Sequence, residues 1–324
     1  MIASFEFGKV ARDIVSVSVN LFKIMIPTLI IVKIAEEFGL DDVLVYAFQP
    51  LMSLMDLPAI IAVVLVTTML TNPYTGLIVA ASIPEVGQLS VGQASVMALF
   101  MLFTHSLPLE AMISRRVGVR FRVVIIIRVG TAFISGILLG QFFAISGLLS
   151  EAVTLNLPQL APSSDIREWV VGQAGAIIMI QIVIIVLLIL LELLRIIGVE
   201  RLMIWLLSPF LRLMGIGSRA STIAIVGVSL GLGFGGGLLM KDVGTGTISK
   251  RDVFGVVCFI NLIHSVFEDT AVVLLLGPSL FVILAIRFII SVLVTIIFMA
   301  FANRLSEAHW KRFLTNKNIP ESAG

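Results

Sequence analysis

The chain has 324 residues, of which 59% are hydrophobic and only 13% charged, with a mean hydropathy of +1.12. Soluble domains carry about 25% charged residues, so this chain has too little polar surface for water and its solvent is a bilayer. The net charge of +2 gives no basic face for nucleic acid, and a single cysteine, Cys258, excludes an intrachain disulfide.

The first 14 residues carry Glu6, Lys9, Arg12 and Asp13 and no apolar core ahead of a small-residue cleavage site, so the segment is expected to be retained. Crossing hydrocarbon as a helix takes about 20 apolar residues. Six stretches qualify: 15–36, 92–114, 121–147, 171–195, 253–276 and 280–302. Two more, 57–83 and 216–240, are interrupted, the first by Thr71-Asn72-Pro73-Tyr74-Thr75-Gly76 and the second by the glycine-rich 231–237. Asn-Pro and glycine runs break helices, and irregular backbone at mid-depth is tolerated only inside protein or beside a cavity. Both stretches are therefore predicted to be re-entrant helical hairpins. Segments 41–55 and 200–214 set acids or arginines against apolar and aromatic residues, the pattern of interfacial helices. Residues 148–170, with Pro158, Pro162, Ser163 and Ser164, form a polar linker. Ser90 with Gln93, and Ser249 with Asp252, fit capping boxes that open the two histidine-bearing helices.

An internal duplication organises these elements. His105-Ser106 recurs as His264-Ser265 at a separation of 159 residues, and Gly39, Pro50, Gly76, Ser90, Gly118 and Arg128 recur at the same offset as Gly198, Pro209, Gly235, Ser249, Gly277 and Arg287. The fold class expected is an all-α polytopic membrane protein of two repeats, 15–147 and 171–302. Each holds three transmembrane helices and one hairpin. Three is odd, so the second copy enters the membrane inverted, a recurring plan among secondary transporters.

Lys and Arg orient the chain. With both hairpins re-entrant, Arg115, Arg116, Arg120, Arg122, Arg195, Arg201, Arg212, Arg219, Lys241, Lys250, Arg251 and the basic tail 303–324 fall on one face with the N-terminus. That face is read as cytoplasmic; the outward loops hold only Arg167 among basic residues.

The polar residues predicted at mid-depth are the candidate site. Asn261, Ser265 and Glu268 share one helical face, flanked by His264 and Asp269; the first copy offers His105, Ser106 and Glu110, with Pro108 able to open the backbone between them. Such groups are costly in hydrocarbon and mark a pathway or binding site; the plain alternative is that the His-Ser pairs are structural glue. The hairpin tips add Asn72, Tyr74 and Thr75, with Gly235 and Gly236 allowing close approach of backbone to a ligand. Glu110, Glu268 and Asp269 are the candidates for an ion-coupling site. Arg128 and Arg287 either snorkel to an interface or balance these acids. Glu192 and Arg195 read as a helix-face pair. No nucleophile elbow, metalloprotease motif or Walker motif is present, so neither catalysis nor ATP-driven pumping is expected.

The duplicated unit, a broken hairpin followed by a helix with His-Ser and acids (FTHSLPLE and NLIHSVFEDT) and a Gly-containing turn, resembles the nucleoside-recognition, or Gate, membrane family over 15–147 and 171–302. That family is similar to the core of concentrative nucleoside transporters and to the membrane part of ferrous iron transport protein B. Spore maturation proteins A and B also belong to it. The resemblance implies a transport domain moving against a scaffold. The Gln-Thr-Glu-Ala type hairpin motif of nucleoside transporters is replaced here by residues 71–76, so no nucleoside contact carries over.

The function expected is ion-coupled secondary transport of a small polar solute, nucleoside-like in one version, in the plasma membrane with both termini cytoplasmic. The substrate site is expected at mid-membrane between the hairpin tips. The coupling ion is H⁺ or Na⁺, no cofactor is called for, and a homo-oligomer is compatible. Two alternatives stand beside it: a divalent metal-ion permease using His264, Glu268, Asp269 and Cys258, and a non-transporting membrane partner protein.

Overall fold

The computed structural model describes residues 6–157, 160, 165–245 and 248–316. Pro158, Pro162, Ser163, Ser164 and Lys317 lie outside them. Among the described residues the chain is helical, with only two isolated β-bridges, Ser90 with Ala152 and Val119 with Thr315.

In order, the helices are α1 (Phe7–Glu37), α2 (Leu40–Leu54), α3 (Ile61–Leu70), α4 (Pro73–Ala81), α5 (Val91–Thr104), α6 (Leu107–Val117) and α7 (Phe121–Ser146). The second copy supplies α8 (Ile166–Ile197), α9 (Val199–Leu213), α10 (Ser218–Leu230), α11 (Leu232–Gly244), α12 (Lys250–Leu262), α13 (Val266–Leu274) and α14 (Arg287–Asn303). A π-helical turn, Phe281–Ile286, leads into α14. Six segments are long and apolar enough to cross a membrane: Phe7–Glu37, Val91–Val117, Phe121–Ser146, Ile166–Ile197, Lys250–Leu274 and Phe281–Asn303. They match the six predicted stretches, with α1 and α8 each starting earlier than expected. The most apolar windows of α1 and α8 are only 17% and 22% buried, whereas those of Val91–Val117 and Lys250–Leu274 are 72% and 78% buried. The former present apolar side chains outward; the latter are interior.

Each of the two interrupted stretches forms a pair of short helices, broken at a different place from the one expected. The first breaks only at Thr71-Asn72, and Pro73 through Gly76 already belong to α4. The second breaks at Gly231 alone, and the rest of the glycine run lies inside α11. Glycine weakens a helix in water by about 1 kcal/mol; packed against another backbone it is instead what allows the approach. At about 1.5 Å per residue the arms of 9 to 13 residues fall well short of the roughly 30 Å hydrocarbon core. Arg219 at the start of α10 bonds Asp242 near the end of α11 at 3.0 Å, so the two ends of the second hairpin are adjacent.

A further correction concerns the second histidine-bearing helix, whose polar residues were expected on one helical face; in the first, Pro108 allows for an opening of the backbone. The first is interrupted at His105-Ser106 and the second at residues 263–265. The Asn261, Ser265 and Glu268 face therefore does not exist as one helical stripe. Of the two predicted capping boxes, Ser90–Gln93 is complete. At the other, the Ser249 hydroxyl accepts from the Asp252 amide and donates to Asp252 Oδ2 at 2.8 Å, so Asp252 reaches back to the cap through its side chain, while its Oδ1 accepts from the Gly217 amide.

By contacts the chain divides into two compact units that do not follow the sequence copies. The first comprises Met1–Ser106, Phe133–Ile197 and Thr270–Ile283, and the second Leu107–Ala132, Gly198–Asp269 and Leu284–Gly324. In the first unit Ala98, Leu102, Val273 and Ile283 form a fully buried cluster. The second half of α7 rides directly on the α2–α3 turn: a Cβ at Gly140 would lie 2.2 Å from the Met55 carbonyl oxygen, and at Gly136 2.6 Å from the Met55 sulfur. The strand-like run after α7 pairs with the start of α5 through Val91 N–H to Glu151 and Val153 N–H to Leu89.

In the second unit the C-terminal turn buries Trp310, which donates to the Ala302 carbonyl at 2.7 Å and meets Phe254 edge-on. The segment beyond it clasps the α6–α7 loop. Arg120 and Arg122 donate to the carbonyls of Lys311 and Arg312, and Asn316 bonds the backbone of Gly118 and Arg115.

Candidate functional site

In the first unit the hairpin tip and the α5–α6 break form one polar knot. Asn72 is extended (φ −158°) and caps α4, its Oδ1 accepting from the Thr75 amide at 2.9 Å and the Thr75 hydroxyl at 3.2 Å. Pro73 at the first helical position has no N–H left over to satisfy. The buried Asn72 Nδ2 has no hydrogen-bond partner among the described residues. Ser106 locks the tip to the break: its amide donates to the Thr68 carbonyl at 3.3 Å and its hydroxyl to the Thr71 carbonyl at 2.7 Å. His105 closes α5 with its Nδ1 turned back on the Met101 carbonyl at 3.2 Å. Tyr74 and Thr75 are buried in the first turn of α4. The predicted residues Asn72, Tyr74, Thr75, His105 and Ser106 are thus brought together.

The second unit repeats this plan at the offset of 159 residues and adds charge. Gly231 takes the place of Asn72, with φ 94° and ψ 167°, and a Cβ there would sit 2.6 Å from the Ser265 hydroxyl. Ser265 thus adjoins this tip as Ser106 adjoins the other. Both serines hold positive φ, 51° at Ser106 and 45° at Ser265. A non-glycine residue there is strained and persists only where its surroundings require it. His264 turns its Nδ1 onto the Ile260 carbonyl at 2.8 Å, as His105 does in its own unit. Its Nε2 lies 3.0 Å from Glu110 Oε1, and the other Glu110 oxygen accepts from Arg128. All three are buried, Arg128 completely. Arg128 does not snorkel; it balances the acid.

Three more contacts complete this cluster. Asn261 donates to the Ser114 hydroxyl at 2.9 Å and to the Val257 carbonyl at 2.8 Å, while its buried Oδ1 has no hydrogen-bond partner among the described residues. Arg287 donates to the Leu262 carbonyl at 3.1 Å, filling one acceptor that the end of α12 leaves open. The charges of Glu268, Arg287, Glu110 and Arg128 act on the buried Asp269. Glu110 and Asp269 occupy equivalent positions in the two copies, as do Arg128 and Arg287, so each copy carries an acid and an arginine at the same two places.

Gly235 and Gly236 lie a turn inside α11, away from the break. Gly235 packs on Gly227, where a Cβ would meet the Gly227 Cα at 2.6 Å, and Gly236 faces Ile113. Gly76 faces Thr68 in the same way in the first hairpin. These glycines hold hairpin arms together. Glu192 and Arg195 form the expected pair at 2.5 Å. Cys258 is buried in α12. The contributions of Ser114 and of the Leu262 carbonyl were missed by sequence reasoning, because both depend on where the helices break.

Among the described residues, six helical segments long and apolar enough to cross a membrane, the lack of any strand beyond isolated bridges, and charged groups buried within those segments define a polytopic α-helical membrane protein. The chain is similar to an uncharacterized membrane protein, YvoD, of Bacillus subtilis (strain 168), with 28% identity over 298 residues covering 91% of each chain. No family model and no solved structure matches.

Proposed function

We propose that the protein is an ion-coupled secondary transporter of a small polar solute, built from two Gate-like copies of opposite membrane sense with their hairpins re-entrant and both termini cytoplasmic. The observation that carries this reading is the buried Glu110–Arg128–His264 cluster at the break of a spanning helix. Ionisable groups within a span mark ion or substrate pathways, and broken helices supply the backbone polar groups that transporter sites use. The strained serines at both breaks, the buried Asn72 and Asn261 atoms with hydrogen-bonding capacity to spare, and the basic bias of one membrane face support it further. The Asn72–Thr75 tip with His105 and Ser106, and Asn261, Ser265 and Glu268, are the proposed solute contacts. A divalent-cation permease is less well supported: both ring nitrogens of His264 are already engaged, one by a carbonyl and one by Glu110.

The test is a ligand-induced stability screen of the purified protein against nucleosides, nucleobases, organic anions and metal ions. Uptake of any hit is then measured in proteoliposomes under a proton or sodium gradient. Saturable uptake lost in His264→Ala and Glu268→Gln is the expected result; uptake unchanged in both removes the assignment.

A further inference from the structure

We infer that the first unit holds a binding site for a small amphiphilic amine, an apolar body with an ammonium head, in the cavity between α1, the start of α2, the α3–α4 hairpin and the start of α8. Every residue that lines this cavity belongs to the first unit. The site stands whether or not the protein carries a solute across the membrane.

The cavity has a volume of about 560 Å³, within the roughly 300–1,000 Å³ of small-molecule sites. It follows α3 from Ile60 at the open end of the hairpin to Thr71 at its tip, about 16 Å at 1.5 Å per residue. Its walls are apolar: Leu29 and Val32 of α1, Val63, Val66 and Leu70 of α3, and Val79 of α4. Ile31 and Leu70, both lining it, are exposed apolar side chains, so the cavity opens sideways on a surface suited to lipid. A molecule dissolved in the bilayer reaches it without passing through water. The apolar walls then supply the hydrophobic driving force for its body.

The polar lining gathers where α1 finishes, α2 begins, α4 has ended and α8 begins: Lys33, Glu36, Asp41, Glu85, Trp169 and Gln173. Gln173 decides what kind of head group fits. It is 8% exposed, and its Oε1 has no hydrogen-bond partner among the described residues. That oxygen accepts and cannot donate, and a buried acceptor left unmet is costly, so the fitting ligand brings a donor.

Charge decides between donors. Lys33 is already held by Glu36 at 3.4 Å and Glu37 at 2.8 Å. A neighbouring cavity of about 480 Å³ shares Lys33, Glu36, Trp169 and Gln173 and adds Arg167 and Glu168. Across the two cavities four acids, Glu36, Asp41, Glu85 and Glu168, stand against two bases, Lys33 and Arg167. An ammonium meets both demands, donating to Gln173 and offsetting the acid excess. Trp169 adds the aromatic side chain that attracts cations best. A carboxylate or phosphate head offers no donor to Gln173 and is repelled by the acids.

The test titrates the full chain in dodecyl maltoside micelles at neutral pH with octylamine, using octanol and octanoate as neutral and anionic probes of the same chain length. Thermal unfolding reads saturable stabilisation as an apparent Kd. Octylamine is expected to bind about tenfold more tightly than octanol, and octanoate to give no saturable shift. Gln173→Leu is expected to weaken octylamine by about fivefold or more, and Val66→Phe, which fills the cavity, to abolish saturation. Should either buried substitution unfold the chain, the more exposed pair Asp41→Asn with Glu85→Gln tests the same site. It is expected to weaken octylamine by about threefold or more and leave octanol unchanged. Equal shifts from all three probes, as in plain micelle partitioning, or tighter binding of octanoate, as for a fatty-acid or anionic-lipid site, overturns the assignment. So does octylamine binding unchanged in the folded variants.

Discussion

Ser106 and Ser265 stand 159 residues apart, share a left-handed backbone conformation at φ 51° and 45°, and each adjoins the tip of the hairpin in its own unit. Strain at one serine has many explanations. Strain at the same place in both copies, each time where a spanning helix breaks, ties the break to the hairpin tip.

The Ser106 hydroxyl and the backbone strain are separable by substitution. Ser106→Ala keeps the strain and loses the bond to the Thr71 carbonyl, and is expected to destabilise the protein by about 1 kcal/mol. Ser106→Gly loses the same bond but relieves the positive φ, and is expected to be more stable than the alanine variant by roughly 1 kcal/mol. Thermal unfolding in detergent micelles ranks the two; an alanine variant at least as stable as the glycine one contradicts this account of the break.

The glycines of the second hairpin are expected to differ sharply. Gly231→Ala meets both a backbone region reserved for glycine and the Ser265 hydroxyl at 2.6 Å, and is expected to cost about 2 kcal/mol or more. Gly235→Ala pushes a methyl group into the Gly227 backbone and splays the arms. At Gly237, inside the same helix, a Cβ meets nothing within 4 Å. There alanine is expected to be neutral or stabilising by up to about 1 kcal/mol. Comparable losses at all three positions would mean that the hairpin arms do not pack as described.

Removing Arg128 leaves the Glu110 carboxylate buried beside His264. Arg128→Ala is expected to cost about 3–5 kcal/mol, as breaking a buried ion pair from one side does. Glu110→Gln combined with Arg128→Met removes both charges and is expected to recover more than half of that loss. A double-mutant cycle on unfolding free energies measures the coupling, and additive losses would show that the two residues act independently.

Much of this architecture is legible in the sequence because the bilayer permits so few structures. Apolar length alone locates the spans. The two glycines paired by the offset, Gly39 and Gly198, hold the same left-handed conformation and join α1 to α2 and α8 to α9. Pro108 hints at an opening in the first histidine-bearing helix, but the places of both breaks, at His105-Ser106 and residues 263–265, were not legible: neither carries a glycine or proline at the break itself, and tertiary contacts hold them, Ser106 bonding the Thr71 carbonyl and Arg287 the Leu262 carbonyl. For the same reason Glu110 and Arg128 were recognisable as buried charges, while their meeting with His264 depends on how α6, α7 and α12 pack. The glycine run erred in the other direction. Its composition signals a loop, yet Gly235 serves helix packing because its neighbour across the hairpin is Gly227.

The central claim is that the two interrupted segments enter and leave the membrane on one face, and cysteine labelling tests it most directly. Cys258 is buried and is replaced by alanine, after which Ser218→Cys and Lys241→Cys are introduced singly at exposed positions flanking the second hairpin. The account predicts that both react with a membrane-impermeant maleimide from the same side, the cytoplasmic one. Reaction of the two from opposite sides would mean that α10 and α11 traverse the bilayer, and would contradict it.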